Sequence, residues 1–271
     1  SSKLKKQIKF LKTLIKSIRH RGTNKNPING WLIIDKPAGL TSNKVIQRIK
    51  NHIKPKKIGH AGTLDPDATG VLPVAMGEAT KVIPYLMSQK KTYLSTIKFG
   101  IKTDTDDVSG KILKRSNYRP TKREISEALK YFSGQIYQKP PIVSAVKVNG
   151  SRAYKLFHLG QHISLKSRKL LVSNIKIISR LDTERCSISF ACGKGGYVRS
   201  IARDIGDFLG CFGCVETLSR TSYGHFEIED SIKLENLLNI SLEEVKNLTL
   251  GMEKGFSHLK YFECLREDYK K

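Results

Sequence analysis

The stretch Gly59-His60-Ala61-Gly62-Thr63-Leu64-Asp65-Pro66-Asp67-Ala68-Thr69-Gly70 places two carboxylates, three glycines and a proline beside an apolar run. Pro66 offers no amide donor and restricts the residue before it to extended backbone, so the Asp65 carboxylate rides on a stiff segment. A carboxylate presented in that way can serve as a nucleophile, as a base or as a stabiliser of positive charge. The same residues also describe an ordinary Asp-Pro turn, and on spacing alone that plainer meaning is the commoner one. The other constellation with chemical potential is Cys211-Phe212-Gly213-Cys214, a lone CxxC. Without a second spaced pair it does not specify a zinc site, and no metal is expected.

Several elements must hold the loop. Trp31-Leu32-Ile33-Ile34-Asp35 reads as a short buried strand and Lys36-Pro37-Ala38-Gly39 as a turn. Thr41 or Ser42 then caps a helix with Val45, Ile46, Ile49 and Ile53 on its inner face. The glycine-bounded loop from Gly59 to Gly70 follows, then a buried strand over 71–76, a helix over 79–87 and a strand over 91–99. On that last strand Tyr93, Ser95, Ile97 and Phe99 share one face. Thr103 to Gly110 is a polar turn, and Thr121 with Glu124 forms a capping box for a helix reaching about Phe132. Ala145 to Val148 before Asn149-Gly150 suggests a strand entering a tight turn. Two strands are expected within 168–192, a helix over 197–209 and a strand over 214–221. Strand pairs mixed with helices, without βαβ alternation, predict an α+β fold, a mixed sheet flanked by helices.

Charge narrows the partner class. The chain carries 49 Lys and Arg against 24 Asp and Glu, a formal +25, which favours a polyanion such as nucleic acid, a ribosome or an anionic membrane. No apolar run reaches the roughly 18 residues that a membrane-spanning helix requires. Residues 1–29 hold nine cations and no anions, with Leu4, Ile8, Leu11, Ile15 and Ile18 on one helical face, and they end in a turn-prone linker. That extension suits an RNA arm, a targeting segment or a membrane-surface anchor. Five cysteines form an odd set consistent with a reducing compartment. The expected location is the cytoplasm, with an organelle matrix as the alternative.

The run GHAGTLDPDATGVLPVAMGEATK resembles the signature loop of TruB-type pseudouridine synthases. The resemblance extends to Asp35-Lys36-Pro37 with Thr41-Ser42, to Lys91-Thr92-Tyr93, and to Ser144-Ala145-Val146-Lys147 with Gly150 and Ala153-Tyr154. It closes on Gly193-Lys194-Gly195-Gly196-Tyr197-Val198-Arg199-Ser200 and covers roughly 30–232 in order. Five ordered blocks do not match by chance as one motif can. The resemblance implies a pseudouridine synthase fold with a central, mixed, mostly antiparallel sheet. It divides the chain into the basic extension 1–29, a catalytic domain 30–232 and a helical tail 233–271 in which the family's C-terminal RNA-binding PUA domain is incomplete or absent. The implied activity is cofactor-free isomerisation of a uridine in the T-loop of tRNA, by a protein acting as a monomer with no obligatory protein partner.

The roles of individual residues follow from the same resemblance. Asp65 is the expected catalytic aspartate, Arg199 the cation that holds it ionised in an enclosed site, and Tyr93 the ring that stacks on the flipped uracil and helps proton transfer. Tyr197 lines the same pocket, and His60 meets the rearranged RNA loop. Lys36, Lys147 and Arg152 belong to structural or phosphate-facing positions, Lys36 and Lys147 being taken as substrate-binding. Two positions depart from the family pattern: Ala61 and Gly196 stand where Thr is common. Three other readings compete. A nonenzymatic RNA-binding or ribosome-assembly protein on the same fold, or a synthase acting on another RNA, satisfies the charge equally well. A tRNA methyltransferase lacks its glycine-rich G-x-G cofactor loop here. A membrane-surface protein would use residues 1–21 as its anchor.

Overall fold

The computed structural model describes residues 28–256. The basic helical face of Leu4 to Ile18 lies outside the described residues, as does the tail from 257 onward.

The chain opens with β1 (Gly30–Lys36), α1 (Ser42–Ile53), β2 (Ile58–His60) and β3 (Thr69–Met76). After a tight 3-10 turn (Gly77–Val82) come α2 (Ile83–Leu86), β4 (Lys91–Phe99), β5 (Ile101–Thr103), β6 (Ile112–Arg115) and α3 (Lys122–Tyr131). β7 (Gly134–Gln138) leads to a small hairpin of β8 (Lys147–Val148) and β9 (Ser151–Arg152), then α4 (Ala153–His158), β10 (Arg168–Arg180) and β11 (Arg185–Cys192). α5 (Val198–Phe208), β12 (Gly213–Tyr223), β13 (Phe226–Glu227), β14 (Ile232–Lys233), α6 (Leu234–Asn239) and α7 (Leu242–Leu248) complete the described chain.

Ten strands form one sheet in the order β14-β1-β3-β12-β4-β11-β10-β7, with β2 and β13 attached to β3 and β12. Only β1–β14 and β3–β12 run parallel. The expected mixed, mostly antiparallel sheet is therefore the one observed. Its faces are both covered, and β1 shows why its sequence is apolar throughout. Trp31 and Ile33 join a core with Val71, Ala75, Tyr223 and Phe226, while Leu32 and Ile34 face the other way, into a core with Val45, Ile49, Leu72 and Val74 of α1 and β3. A third core under α3 and α5 holds Ile97, Phe99, Ile125, Phe190 and Ile201. Residues past 232 complete these cores: Leu234, Leu237 and Val245 enter the α1 side, and Met252 and Phe256 enter the Trp31 side.

Local signals set most boundaries. Thr41 caps α1 by accepting from the Lys44 amide at 3.1 Å, and the Thr121–Glu124 capping box starts α3 as its spacing predicts. Three expectations need correction. The loop from Gly59 to Gly70 is not loop throughout, because Ile58–His60 pairs with β3 and β3 begins at Thr69. The helix expected over 79–87 is a 3-10 turn followed by a single α-turn, with Pro84 in its first turn, where a missing amide costs nothing. The strand expected over Ala145 to Val148 shrinks to Lys147–Val148, paired only with β9. Among the described residues no helix is long and apolar enough to cross a membrane.

Candidate active site

The loop between β2 and β3 is held at nearly every other residue. The Ala61 amide donates to the Pro73 carbonyl at 2.9 Å. Buried Ser42, the first residue of α1, exchanges two bonds with Leu64: its Oγ accepts from the Leu64 amide at 2.9 Å and donates to the Leu64 carbonyl at 3.1 Å. Lys36, at the end of β1, donates to the Pro66 carbonyl at 2.8 Å, and the Ala68 amide closes a turn onto the Asp65 carbonyl at 3.2 Å. Backbone groups on both sides of Asp65 are thus tied down while its side chain is left out. Leu64 and Ala68 are buried, whereas the Asp65 side chain is 45% exposed.

Arg199, one residue into α5, reaches that carboxylate as a fork. Its Nε lies 2.8 Å from Oδ2 and its Nη2 donates to Oδ1 at 3.2 Å. The residue is only 7% exposed, so the base of the pair is enclosed and the acid faces outward. Nη1 turns away, donating to the Thr105 carbonyl at 3.1 Å and standing 3.9 Å from the Asp107 carboxylate. The polar segment expected as a simple turn is therefore a support for Arg199. It is fastened to β12 through Val108 and Val215, whose amide and carbonyl pair at 2.9 Å. One turn along α5, Arg203 pairs with Asp106 and Asp204, each at 2.8 Å. Thr105, Asp106 and Asp107 carry no signal in sequence beyond a polar, turn-prone composition, so their supporting role emerges only in three dimensions.

Tyr93 lies on β4 opposite Phe190 of β11 on one side and Arg220 of β12 on the other. Its ring centroid is 5.9 Å from that of Phe190, and burial pushes its hydroxyl up to about 12. Beside burial, the Asp65 charge also raises the hydroxyls of Tyr93 and Tyr197, so both tyrosines lie within electrostatic reach of the Asp65–Arg199 pair. Tyr197 precedes α5; its amide and carbonyl are both bonded by the Gln138 side chain, and its ring packs on the small cluster of Val146, Ala153, Ile163 and Leu165. Burial raises its hydroxyl above the usual tyrosine range.

The remaining expected residues fall differently. His60 is the last residue of a strand, not a turn residue; its Nδ1 is buried without a hydrogen-bond partner, and burial, with the nearby Arg220 charge, pushes its pKa down. Lys36 is fully buried and its ammonium donates to the carbonyls of Pro37, Leu40 and Pro66 at 2.6 to 2.8 Å. With three donors on three carbonyls, none is left to face a phosphate, which favours the structural alternative for this residue. Lys147 is exposed on the β8–β9 hairpin, and Arg152 donates from there to the Ala145 carbonyl at 2.6 Å. Sequence reasoning missed Arg220 entirely, because in the polar stretch Glu216-Thr217-Leu218-Ser219-Arg220-Thr221 nothing marks the arginine as buried.

The two departures from the family pattern have local explanations. Ala61 is fully buried in the Trp31 core. A side chain at Gly196 would place its Cβ 2.6 Å from Cys192 Sγ, so the cysteine occupies the room. Cys211 and Cys214 are buried, and burial pushes their thiols up to about 11 and 12. Cys211 packs in the core under α3 and α5, where α5 gives way to β12.

Comparison with known proteins agrees with this geometry. Residues 50–198 match the TruB family pseudouridylate synthase (N terminal domain), and residues 199–256 match the tRNA pseudouridylate synthase B C-terminal domain. The tRNA pseudouridine synthase B of Cereibacter sphaeroides is 48% identical over 233 residues, 86% of this chain and 77% of that protein. That of Ruegeria pomeroyi is 45% identical over 241 residues, covering 89% and 80%. Among solved structures, a Cbf5-Nop10-Gar1 complex is similar with a TM-score of 0.68 and 27% identity, over 88% of this chain and 69% of that one. The archaeal box H/ACA sRNP Nop10-Cbf5 complex gives 0.64 and 25%, over 88% and 70%. The chain therefore belongs to the TruB family of pseudouridylate synthases.

Proposed function

We propose that this protein isomerises a uridine in the T-loop of tRNA to pseudouridine, with Asp65 as the catalytic carboxylate. The observation that carries the reading is the forked pair of Asp65 and Arg199, an outward-facing acid on a pinned loop held by an enclosed guanidinium. The reaction breaks the C1′–N1 bond, turns the base and joins C1′ to C5; the C5 proton leaves and N1 gains one. Neither water nor a redox partner enters, so an ionised carboxylate and a proton acceptor suffice. A loop uridine must leave its stack to reach Asp65, at a cost of about a few kcal/mol. Tyr93 offers the extruded base a ring to stack on and a hydroxyl to aid proton transfer. Tyr197 closes the same pocket, and His60 and Lys147 stand as RNA-facing residues.

The +25 charge supplies sequence-independent attraction to RNA phosphates. In this reading residues 30–232 are the catalytic domain, the tail segment up to 256 buttresses its sheet, and the extension 1–29 adds phosphate contacts. The protein acts as a monomer in the cytoplasm. The similarity to Cbf5 complexes raises a synthase acting on another RNA as the competing assignment, but identity to the bacterial tRNA enzymes is much the higher. Pseudouridine mapping in unmodified tRNA after incubation with the pure protein decides between them. A single new pseudouridine in the T-loop is the expected result, and an unmodified T-loop rejects the assignment.

A further inference from the structure

Three cations are buried around the Asp65 loop with no carboxylate within ion-pairing distance among the described residues: Lys36, Lys91 and Arg220. The two lysines have simple accounts. Lys36 fills its donors with carbonyls, as described. Lys91 donates to the Met87 and Gln89 carbonyls at 3.1 and 2.7 Å and lies 4.4 Å from the Tyr223 ring centroid.

Arg220 is different. It is 1% exposed and sits at the centre of the sheet, opposite Gly70 of β3 in one ladder and opposite Tyr93 of β4 in the other. Its Nε donates to the Val71 carbonyl at 2.8 Å and its Nη2 to the Gly62 carbonyl at 2.9 Å, so one guanidinium grips both ends of the segment that carries Asp65. The backbone is shaped for that grip. Gly62 has φ +68, and a Cβ there would meet the Tyr223 ring at 2.8 Å and Arg220 Nη1 at 3.3 Å. Gly70 has φ +99, and a Cβ there would lie 2.2 Å from the Arg220 carbonyl oxygen. The guanidinium lies 4.9 Å from the Tyr223 centroid, and Arg220 stands directly across the β4–β12 ladder from Tyr93, so the two side chains share one face of the sheet and the Arg220 charge opposes the effect of burial on the Tyr93 hydroxyl.

Two carbonyls need donors, not a charge. A neutral amide could make such bonds, whereas an enclosed cation without an acid carries a large desolvation cost. An uncompensated cation fixed beside a reactive hydroxyl is preorganised for an oxygen that gains negative character during reaction.

We propose that Arg220 is a positioning residue for the isomerisation, tying the Asp65 loop to the strand that carries Tyr93 and supplying a fixed positive charge across the ladder from that tyrosine. This rests on the roles given to Asp65 and Tyr93 above. The test uses Arg220→Gln, which keeps a donor and removes the charge, and Arg220→Lys, which keeps the charge and removes the fork. Each is placed in the wild-type and Tyr93→Phe backgrounds. Single-turnover pseudouridine formation, tRNA binding and thermal unfolding are measured for every variant, with Asp65→Asn in parallel. Arg220→Gln should slow turnover by about tenfold or more while tRNA affinity stays within about threefold, and in the Tyr93→Phe background the further loss should fall below about threefold. Arg220→Lys should recover part of the rate. Equal losses in both backgrounds, wild-type turnover by Arg220→Gln, or a rate loss matched by loss of folded protein each overturn the proposal. If Arg220→Gln does not fold, the coupling of Arg220→Lys to Tyr93 decides; if neither folds, the residue is structural and the proposal fails. Turnover by Asp65→Asn would instead reject the reading of the site on which the proposal stands.

Discussion

Arg199 and Arg220 reach the same loop from different elements, α5 and β12, and both are buried, yet they are held in opposite ways. Arg199 is matched to carboxylates, forked onto Asp65 and close to Asp107. Among the described residues Arg220 is matched to backbone carbonyls and an aromatic face, with no carboxylate. A charge pair makes a group reactive in one place, because each partner fixes the other's position and orientation. A lone buried cation does something else: it fixes a field and a backbone shape that its neighbours must accept. Division of labour follows from the contrast, with the paired arginine serving the reacting carboxylate and the unpaired one serving the scaffold behind it.

The largest effect should come from the paired side. Asp65→Asn preserves volume and removes the negative charge, so single-turnover pseudouridine formation should fall by about a thousandfold or more with tRNA binding retained. Mapping the modified base in tRNA checks it, and wild-type-like turnover would remove Asp65 from the chemistry. Arg199→Lys should cost about a hundredfold in rate, since an ammonium cannot reproduce a guanidinium fork on a carboxylate. If that variant turned over normally, the fork would be packing and the contrast with Arg220 would lose its meaning. Tyr93→Phe keeps the ring and loses the hydroxyl, so a rate about tenfold lower with near-normal tRNA affinity is expected. Equal loss of rate and binding would make Tyr93 structural.

The smallest effect lies on the unpaired side and concerns stability. Lys36 is pushed down to about 8 by burial, against the pull of Asp67 and Asp65, from an ordinary value of 10.5. Between those values the unfolded chain binds more protons at this position than the folded one, so the stability of the folded state rises with pH from about 8 to about 10.5. Lys36→Met removes that contribution and strands the Pro37, Leu40 and Pro66 carbonyls, costing about 1–3 kcal/mol. Denaturant unfolding of both proteins from pH 7 to 10 should show the gap between them widening above pH 8. A gap that narrows there would mean that the ammonium is stabilised, not strained, in its pocket.

Much of the frame was legible beforehand because its causes are local. The apolar run of β1, the alternation of β4, the Thr41 cap of α1 and the Thr121–Glu124 capping box are short-range facts, and each appears where the sequence puts it. The site was legible in part. Asp65 and Arg199 lie 134 positions apart, and only a resemblance across several ordered blocks, not their spacing, joined them. Short-range reasoning failed where a long-range partner overrode it. His60 was expected in the Gly59–Gly70 loop, but β3 offered its backbone a ladder. Lys36 was assigned partly to phosphate, but its ammonium is consumed by three carbonyls from its own turn and from the Asp65 loop.

By itself the sequence determined the apolar periodicities, the caps, the cationic surface and the identity of the loop that carries the acid, because those depend on residue type and on neighbours a few positions away. The resemblance named Arg199 as the acid's cation, but tertiary structure alone showed how its fork meets Asp65 and that, among the described residues, Arg220 stays without an acid. Arg199 and Arg220 are chemically the same side chain, 21 positions apart in the sequence. Their difference arises because α5 points one of them across to Asp65 while β12 places the other between β3 and β4, where among the described residues it bonds peptide carbonyls and lies against a tyrosine ring without a carboxylate partner. The electrostatic role of a cation is set by what surrounds it after folding, and that surrounding is assembled from strands distant in the chain.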